Sequence, residues 1–177
     1  GWFYHAQQDN QVKSPQQLAD IYYRSVGHNG TMLLNFPVNR DGLIHPIDST
    51  NAVKFREIID NDFKTNLIAG MKAKATNTRG KRFSTTAMTD NDYDTYWATA
   101  DGTNTATVTY QFRQPQRMNR MMLQEYIPLG QRVKSFVVEY QDGKQWLPVS
   151  LNEETTTIGY KRLLRFKSVT SKGIRVR

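Results

Sequence analysis

The pattern of apolar residues changes close to Lys64, and this change limits the folds that the 177-residue chain can adopt. Before it, apolar residues follow helical spacing or form short unbroken runs, which is typical of helices alternating with buried strands. After it, short strand-like segments recur about every 8–14 residues with turn residues between them, which is typical of an antiparallel sandwich. The sequence therefore predicts two regions, residues 1–63 and residues 65–177.

The charge distribution changes at the same place. The chain has 24 basic and 16 acidic side chains, a formal net charge of +8. Residues 1–64 contain six of the basic and seven of the acidic ones, so the excess positive charge belongs entirely to residues 65–177. This asymmetry indicates a boundary between two domains more directly than it indicates a function.

Two helices are predicted in the first region. The first starts with the capping box Ser14-Pro15-Gln16-Gln17, and Gly27 is expected to end it in the left-handed conformation. The second is expected to have Asp48 as its cap. Its predicted inward face consists of Val53, Phe55, Ile58, Ile59 and Phe63.

Strands are expected at residues 1–5 and 31–36, which gives two strand–helix units. Two units cannot form a closed barrel or a doubly wound sheet, because a parallel strand needs cover on both faces. We therefore interpret residues 1–63 as the last part of a larger α/β domain. The alternative is a small βαβα cap docked on the second region.

The second region predicts about seven strands. Asp142-Gly143 lies between two of them and is the strongest hairpin signal in the chain. The predicted fold class is mainly β: an antiparallel β-sandwich or jelly roll preceded by an α/β remnant. The expected strands are 71–76, 106–112, 118–125, 133–140, 145–150, 162–167 and 173–177.

Composition excludes several kinds of chemistry. The chain has no cysteine, which excludes disulfides, cysteine-based zinc sites and thiol catalysis. Its three histidines, His5, His28 and His45, do not occur at metal-ligand spacing. No apolar run is long enough for a transmembrane helix, and the first residues show no targeting peptide.

Two groups of residues in the second region resemble the discoidin, or coagulation factor 5/8 type C, domain. Asn66-Leu67-Ile68-Ala69-Gly70 followed by A-M-T-D-N-D-Y-D-T-Y-W-A at 87–98 resembles the opening of that domain. V-K-S-F-V-V-E at 133–139 followed by D-G-K-Q-W at 142–146 resembles one of its hairpins. The resemblance implies a discoidin-like, galactose-binding-like sandwich for residues 65–177.

The first region is similar to the end of the catalytic barrel of family 29 α-L-fucosidases. Segments 125–133 and 157–162 resemble the discoidin domain of the branch that acts on α1,3/1,4-linked fucose. The residues that carry the barrel resemblance are Gly1 to His5, Lys13-Ser14, Ile21-Tyr22, Ser25 to Gly27, Leu33 to Asn35, and Gly42 to Pro46 with Asp48.

These resemblances imply the C-terminal portion of an exo-acting, retaining α-L-fucosidase with an accessory module. Its two catalytic carboxylates would lie upstream of Gly1, so no catalytic residue is expected in this chain, and the chain alone is expected to be inactive. The implied partners are fucosylated glycans and an N-terminal catalytic barrel. The implied location is secreted, periplasmic or cell-surface.

Trp2 and His5 are the candidate substrate-binding residues. An aromatic ring at the carboxyl end of a late barrel strand can stack on the apolar face or methyl group of fucose. The alternative for Trp2 is ordinary packing at the barrel rim, and the alternative for His5 is a hydrogen-bonded structural role.

The acidic loop D-N-D-Y-D at 90–94 is the candidate metal site. It is superficially similar to an EF-hand loop, but Thr95 stands in place of the turn glycine and no helix flanks it. The discoidin resemblance implies a structural Ca²⁺ held by the side chains of Asp90 and Thr95 and the carbonyls of Ala87 and Asp92. The alternative is a hydrated acidic turn, and no organic cofactor is expected.

Two further loops are candidate binding surfaces. Arg79 to Phe83 carries a basic cluster that suits anionic glycans or phosphates, although such a run is more often solvated surface. Tyr126 to Arg132 is a candidate glycan loop, and the family resemblance implies that it packs against the catalytic barrel.

Two other function classes remain. One is a non-catalytic glycan-binding discoidin module. The other is nucleic-acid or anionic-membrane binding through the basic region. No glycine-rich phosphate loop, zinc pattern or RNP-like aromatic pair supports the second class, so no nucleic-acid partner and no membrane span are expected.

Overall fold

The computed structural model describes residues 2–177, and the chain divides into two compact units, Gly1–Thr65 and Asn66–Arg177. The first unit contains a 3-10 helix, Ala6–Gln11, and two α-helices, α1 at Pro15–Ser25 and α2 at Pro46–Asp62. The second unit contains five strands. Within residues 2–177, no helix is long and apolar enough to cross a membrane.

The capping box predicted at the start of α1 is confirmed. The Gln17 backbone N–H donates to Ser14 Oγ (3.2 Å), and the Ser14 N–H donates to Gln17 Oε1 (2.9 Å). The predicted stop at Gly27 is wrong in its conformation. The left-handed residue is Asn29 (φ 67°). The Gly27 N–H still bonds to the Tyr22 carbonyl of α1 (3.0 Å).

Helix α2 begins differently from the sequence prediction. Its cap is His45, whose Nδ1 accepts the Ile47 N–H at 3.3 Å, and Pro46 takes the first helical position. Asp48 therefore lies in the first turn, where a negative charge is favoured by the helix dipole. Val53, predicted to face inward, is exposed, whereas the other four predicted positions are at least partly buried.

Aromatic contacts join the two helices. Tyr22 on α1 meets Phe55 on α2 edge to face with centroids 5.9 Å apart, and Tyr23 stacks on Phe63 at 6.2 Å. The Tyr23 hydroxyl donates to Asp62 Oδ2 at 2.7 Å. The apolar faces of the helices therefore pack against each other, although no side chain of α2 is fully buried.

Neither predicted strand of the first unit is found among residues 2–65, and Gly1, the first residue of the 1–5 prediction, lies outside the described residues. Among its described residues the unit has one isolated antiparallel bridge, Val38 to Ile44, and no sheet. Residues 31–36 still alternate between exposed and partly buried side chains, as an extended segment does. An extended segment becomes a strand only when a neighbour completes its hydrogen bonds, and this unit provides none.

The second unit is built on one antiparallel sheet in the order β1-β2-β5-β3-β4. This confirms the mainly β, antiparallel fold class. The bounds are β1 Lys74–Ala75, β2 Val108–Leu123, β3 Val138–Asp142, β4 Gln145–Pro148 and β5 Arg162–Val176.

The second unit has five strands where seven were predicted, because each of two predicted pairs forms one continuous strand. Segments 106–112 and 118–125 belong to β2, and segments 162–167 and 173–177 belong to β5. The β2–β5 ladder shifts register between Gln111 and Gln116 and between Met118 and Arg120, so these irregularities bend the strands without ending them. The predicted hairpin is confirmed, with Asp142 paired to Gln145 and Gly143 at φ 58°.

The core of the second unit gathers side chains from the sheet and from the segments that cover it. Leu164 and Val138 lie among its most buried members. Two buried threonines fix the segment before the acidic loop: Thr85 Oγ1 donates to the Ala73 carbonyl (2.7 Å) and Thr89 Oγ1 to that of Met71 (3.0 Å). Other members are Ala73, Tyr110, Phe112, Met118, Phe136, Val149, Ile158, Phe166 and Ile174.

Candidate functional site

Three aromatic rings from separate segments of the second unit form a column. Phe83 packs against Tyr96 with centroids 5.1 Å apart, and Tyr96 stacks on Tyr126 at 4.3 Å and 15°. All three side chains are partly buried. The two loops predicted as binding surfaces therefore meet through Tyr96, which sequence reasoning did not single out as a site residue.

Basic side chains surround the Phe83 end of the column. The guanidinium carbons of Arg79 and Arg82 lie 5.8 and 5.9 Å from the Phe83 ring centroid, within cation–π range. Arg79 also pairs with Asp101 at 2.9 Å, and both partners are largely exposed. Lys81, between the two arginines, is exposed as well.

The segment that carries these cations is fixed by hydrogen bonds to residues 97–100. The Arg79 N–H donates to the Ala98 carbonyl at 2.9 Å. Trp97, which follows the acidic loop, is partly buried, and its Nε1 donates to the Asn77 carbonyl at 3.2 Å. Asn77 Oδ1 in turn accepts the Ala100 N–H at 2.7 Å. The loop is therefore tethered by backbone and side-chain bonds.

The loop Tyr126 to Arg132 is held by a carboxylate at its base. Glu125 accepts the backbone N–H groups of Arg132 (2.7 Å), Val133 (2.8 Å) and Gly159 (2.6 Å). The Arg132 guanidinium folds back onto the Leu129 carbonyl, with Nη2 at 3.1 Å. Arg132, which stays a predicted glycan-binding or interdomain residue, also closes its own loop through this contact.

The acidic loop brings three of its four predicted calcium ligands together. Thr95 Oγ1 lies 2.7 Å from Asp90 Oδ2 and 3.2 Å from the Asp92 carbonyl oxygen. Hydrogen bonds from the Asp92 N–H and then from the Thr95 hydroxyl hold the pKa of Asp90 below its ordinary value. Ala87 lies in the preceding 3-10 helix, Thr85–Met88, and the described contacts do not join it to this group.

The chemistry of these donors suits a hard cation. A carboxylate, a hydroxyl and a backbone carbonyl are ligands that Ca²⁺ accepts. Within residues 2–177, no group of three or more histidine, aspartate and glutamate side chains could hold a metal. A calcium site here would therefore depend on backbone oxygens and water as much as on charge.

In the first unit, both predicted substrate-binding residues are exposed. Trp2 is 67% exposed, and its carbonyl accepts the Asn35 Nδ2–H at 3.1 Å, which ties the first residues to segment 31–36. His5 caps the 3-10 helix through its backbone, with its carbonyl accepting the Gln8 N–H at 2.9 Å. The structure does not join the two side chains to each other by a described contact.

A polar cluster that sequence reasoning missed lies beside them. Tyr4 donates its hydroxyl to Asp9 Oδ2 at 3.0 Å, and His45 Nε2 lies 3.4 Å from the same oxygen. The hydrogen bond to Asp9 raises the pKa of Tyr4. His45 is 36 positions away from Asp9, and no spacing rule links residues so far apart in sequence.

Known proteins that are similar to this chain match it over both units. α-L-fucosidase 1 of Arabidopsis thaliana is 34% identical over 174 residues, which is 96% of this chain and 33% of that protein. A candidate α-L-fucosidase from Bacteroides thetaiotaomicron has a TM-score of 0.94 and 42% identity, over 100% of this chain and 39% of that chain. The Ruminococcus gnavus GH29 fucosidase in complex with fucose has a TM-score of 0.89 and 34% identity, over 99% of this chain and 35% of that one.

The chain thus spans about a third of the length of the relatives that it matches. It is similar to the C-terminal part of these fucosidases. The F5/8 type C domain profile matches residues 72–177, more than half of the chain and nearly all of the second unit. The chain therefore belongs to the F5/8 type C domain family.

Proposed function

We propose that this chain is the C-terminal portion of an exo-acting α-L-fucosidase that releases L-fucose from glycans by retaining hydrolysis. The observation that carries the proposal is the identity of 34% to α-L-fucosidase 1 across both units, over 96% of the chain. Retaining glycosidases use two carboxylates about 5–5.5 Å apart, one as nucleophile and one as acid/base. We assign both to the part of the relatives that this chain does not cover.

An aryl α-L-fucoside assay tests this proposal on two proteins. The 177-residue chain is expected to give no turnover, and a version extended upstream to the full length of the relatives is expected to release fucose. Turnover by the 177-residue chain would contradict the assignment of the carboxylates. Absence of turnover by a folded, extended protein would contradict the fucosidase activity itself.

We assign Trp2 and His5 to substrate binding in that enzyme. The exposed indole of Trp2 is anchored through its backbone carbonyl to Asn35, so its position is constrained while its ring is free to contact a sugar. In the extended enzyme, Trp2→Ala is expected to raise KM about tenfold, whereas Phe3→Ala, which removes an exposed neighbouring ring, should leave it unchanged. Equal effects from the two variants would remove the assignment.

A second candidate function, glycan binding by the second unit, is favoured by the aromatic column. Phe83 lies in one predicted binding loop and Tyr126 in the other, and both rings contact Tyr96. The two loops are therefore joined by side-chain contacts and are not separate solvated segments. A glycan array probed with the 177-residue chain would support this function if it retains any glycan. Failure with every glycan would leave a structural role, with Tyr126 to Arg132 packing against the catalytic barrel.

We also propose a structural Ca²⁺ at the acidic loop, held by Asp90 and Thr95 side chains with carbonyls of Asp92 and Ala87. The short distances among the first three oxygen groups support it. Bound calcium would add a positive charge to a loop that carries three aspartates and would crosslink it. The proposal includes no organic cofactor.

We propose a secreted, periplasmic or cell-surface location, as the resemblance to the fucosidase family implies. Fractionation of the source cells with an antibody to the chain tests it. We also propose that nucleic acid is no partner. Retention on immobilised DNA that is weak and insensitive to salt supports this, because phosphate-backbone binding is steeply salt-dependent.

A further inference from the structure

The loop Arg79 to Phe83, which we call the basic loop, has a charge pattern that the proposed functions do not use. It contains three cations within four positions, Arg79, Lys81 and Arg82. Asp101 pairs with Arg79 alone. Within residues 2–177, neither Lys81 nor Arg82 has a carboxylate partner. Two positive charges on this loop are therefore uncompensated.

The geometry keeps these charges together. Arg79 and Arg82 both lie within 6 Å of the Phe83 ring, so two guanidinium groups surround one ring despite their mutual repulsion. Gly80 between them has φ 147°, in a region that favours glycine, which lets the chain turn and present neighbouring side chains to the same side of the ring. The backbone bond from Arg79 to Ala98 fixes the base of the loop. An incoming anion would therefore meet Arg82 next to the Phe83 ring, on a loop whose base is fixed.

The aromatic column adds a second kind of contact next to the cations. Phe83 belongs to both the basic loop and the column, and Tyr96 follows it at 5.1 Å. Aromatic faces and edges suit the C–H surface of a sugar ring, whereas guanidinium groups suit the oxygens of a sulfate or carboxylate. A ligand that has both parts, a sugar with an anionic substituent, matches this arrangement.

We propose that the basic loop is an anion subsite that directs the second unit toward glycans carrying a sulfate or carboxylate group. The anion would lie between Lys81 and Arg82, and the sugar ring against Phe83 at the end of the aromatic column. This inference rests on the proposed glycan-binding function and specifies its ligand class. A glycan fits better than a polyanion in general because the cations adjoin aromatic rings and number only three.

The test compares one fucosylated oligosaccharide with its sulfated form, both titrated calorimetrically into the 177-residue chain. The sulfated form is expected to bind about tenfold more tightly. Lys81→Gln/Arg82→Gln should lose that tenfold advantage and keep the affinity for the neutral form. Arg113→Gln/Lys144→Gln is the matched control, because it removes two exposed charges elsewhere in the same unit, and it should bind like the parent chain.

The remaining outcomes distinguish a failure of the anion subsite from a failure of the glycan-binding function on which it rests. Equal binding of neutral and sulfated forms would overturn the anion subsite and leave glycan binding intact. Binding of neither form would overturn both. An equal loss in the control variant, or full competition by single-stranded DNA at the same charge concentration, would show diffuse electrostatic attraction and overturn the inference. Circular dichroism of each variant excludes unfolding as the cause.

Discussion

Glu139 on β3 and Arg175 on β5 occupy paired positions of the antiparallel ladder, and Arg175 Nε lies 2.7 Å from Glu139 Oε2. The Glu139 side chain is 8% exposed, so its charge depends on its partners. Arg177 approaches the same oxygen at 3.7 Å, and the Arg175 guanidinium lies 4.5 Å from the Trp146 ring centroid. The hydrogen bond from Arg175 is the largest cause that holds the pKa of Glu139 below its ordinary value of 4.5.

This pair predicts a pH-dependent effect of Arg175→Leu. At about pH 7 the variant should lose about 3 kcal/mol of unfolding free energy, because a buried carboxylate is left with one weak partner. A depressed folded-state pKa means that the pair stabilises the fold above the unfolded pKa and stops doing so as pH falls through the folded value. The cost of the variant should therefore shrink toward about pH 3.

Urea unfolding of both proteins at about pH 7 and about pH 3 measures the difference. The double variant Glu139→Leu/Arg175→Leu serves as a control, since it leaves no buried charge unpaired and should be more stable than Arg175→Leu at neutral pH. A cost for Arg175→Leu that is the same at both pH values would show that lost packing against Trp146, rather than lost charge, explains it.

Calcium should raise the melting temperature of the chain, and chelator should lower it. Asp90→Asn is expected to abolish the shift because it removes the negative charge, and one of the two oxygens, of the carboxylate that faces the other proposed ligands. Asp94→Asn removes the same charge from the same loop without removing a proposed ligand and should keep most of the shift. A parent chain that melts identically with calcium and with chelator would rule out the site.

Tyr110→Phe should leave stability unchanged or raise it by up to about 1 kcal/mol. The Tyr110 hydroxyl is buried and has no hydrogen-bond partner among the described residues, and desolvation raises its pKa to about 12. Removing an unsatisfied buried hydroxyl relieves a desolvation penalty and keeps the ring that packs in the core. Thermal unfolding of the variant measures this. A loss above about 1 kcal/mol would indicate a partner such as ordered water.

Glu125→Ala should loosen the loop Tyr126 to Arg132. Its carboxylate accepts three backbone N–H groups, and their loss is expected to cost about 2 kcal/mol. Hydrogen exchange at residues 126–133 should become faster than in the parent chain. Glu154→Ala, which removes an exposed carboxylate nearby in sequence, should change neither. Unchanged exchange in Glu125→Ala would mean that the loop is held by Arg132 and its apolar contacts.

Local signals in the sequence predicted those features that depend on neighbouring residues. The Ser14–Gln17 capping box and the Asp142-Gly143 hairpin both involve contacts across a few positions, and both are confirmed. The cap of α2 was wrong because Asp48 is a good cap by type, but Pro46 starts the helix two residues earlier. A choice between two acceptable caps depends on the path of the chain before the helix.

The candidate site was only partly predictable. The acidic loop is local, and the resemblance to discoidin domains implied Asp90, Asp92 and Thr95 together, whereas nothing in the sequence indicated the column of Phe83, Tyr96 and Tyr126. Its rings come from three segments, and their contact depends on how those segments pack over the sheet. The same holds for the Tyr4, Asp9 and His45 cluster of the first unit.

By itself, the sequence determined that the chain has two differently patterned regions, that the second is mainly β, and where the α1 capping box, the tight turn and the acidic loop lie. These features follow from periodicity and from contacts between residues close in sequence. The tertiary structure decided that seven predicted strands are five, that segment 31–36 forms no sheet, and that two loops share an aromatic column. Strand pairing and ring stacking join residues far apart in the chain, and their free energy depends on partners that periodicity does not identify.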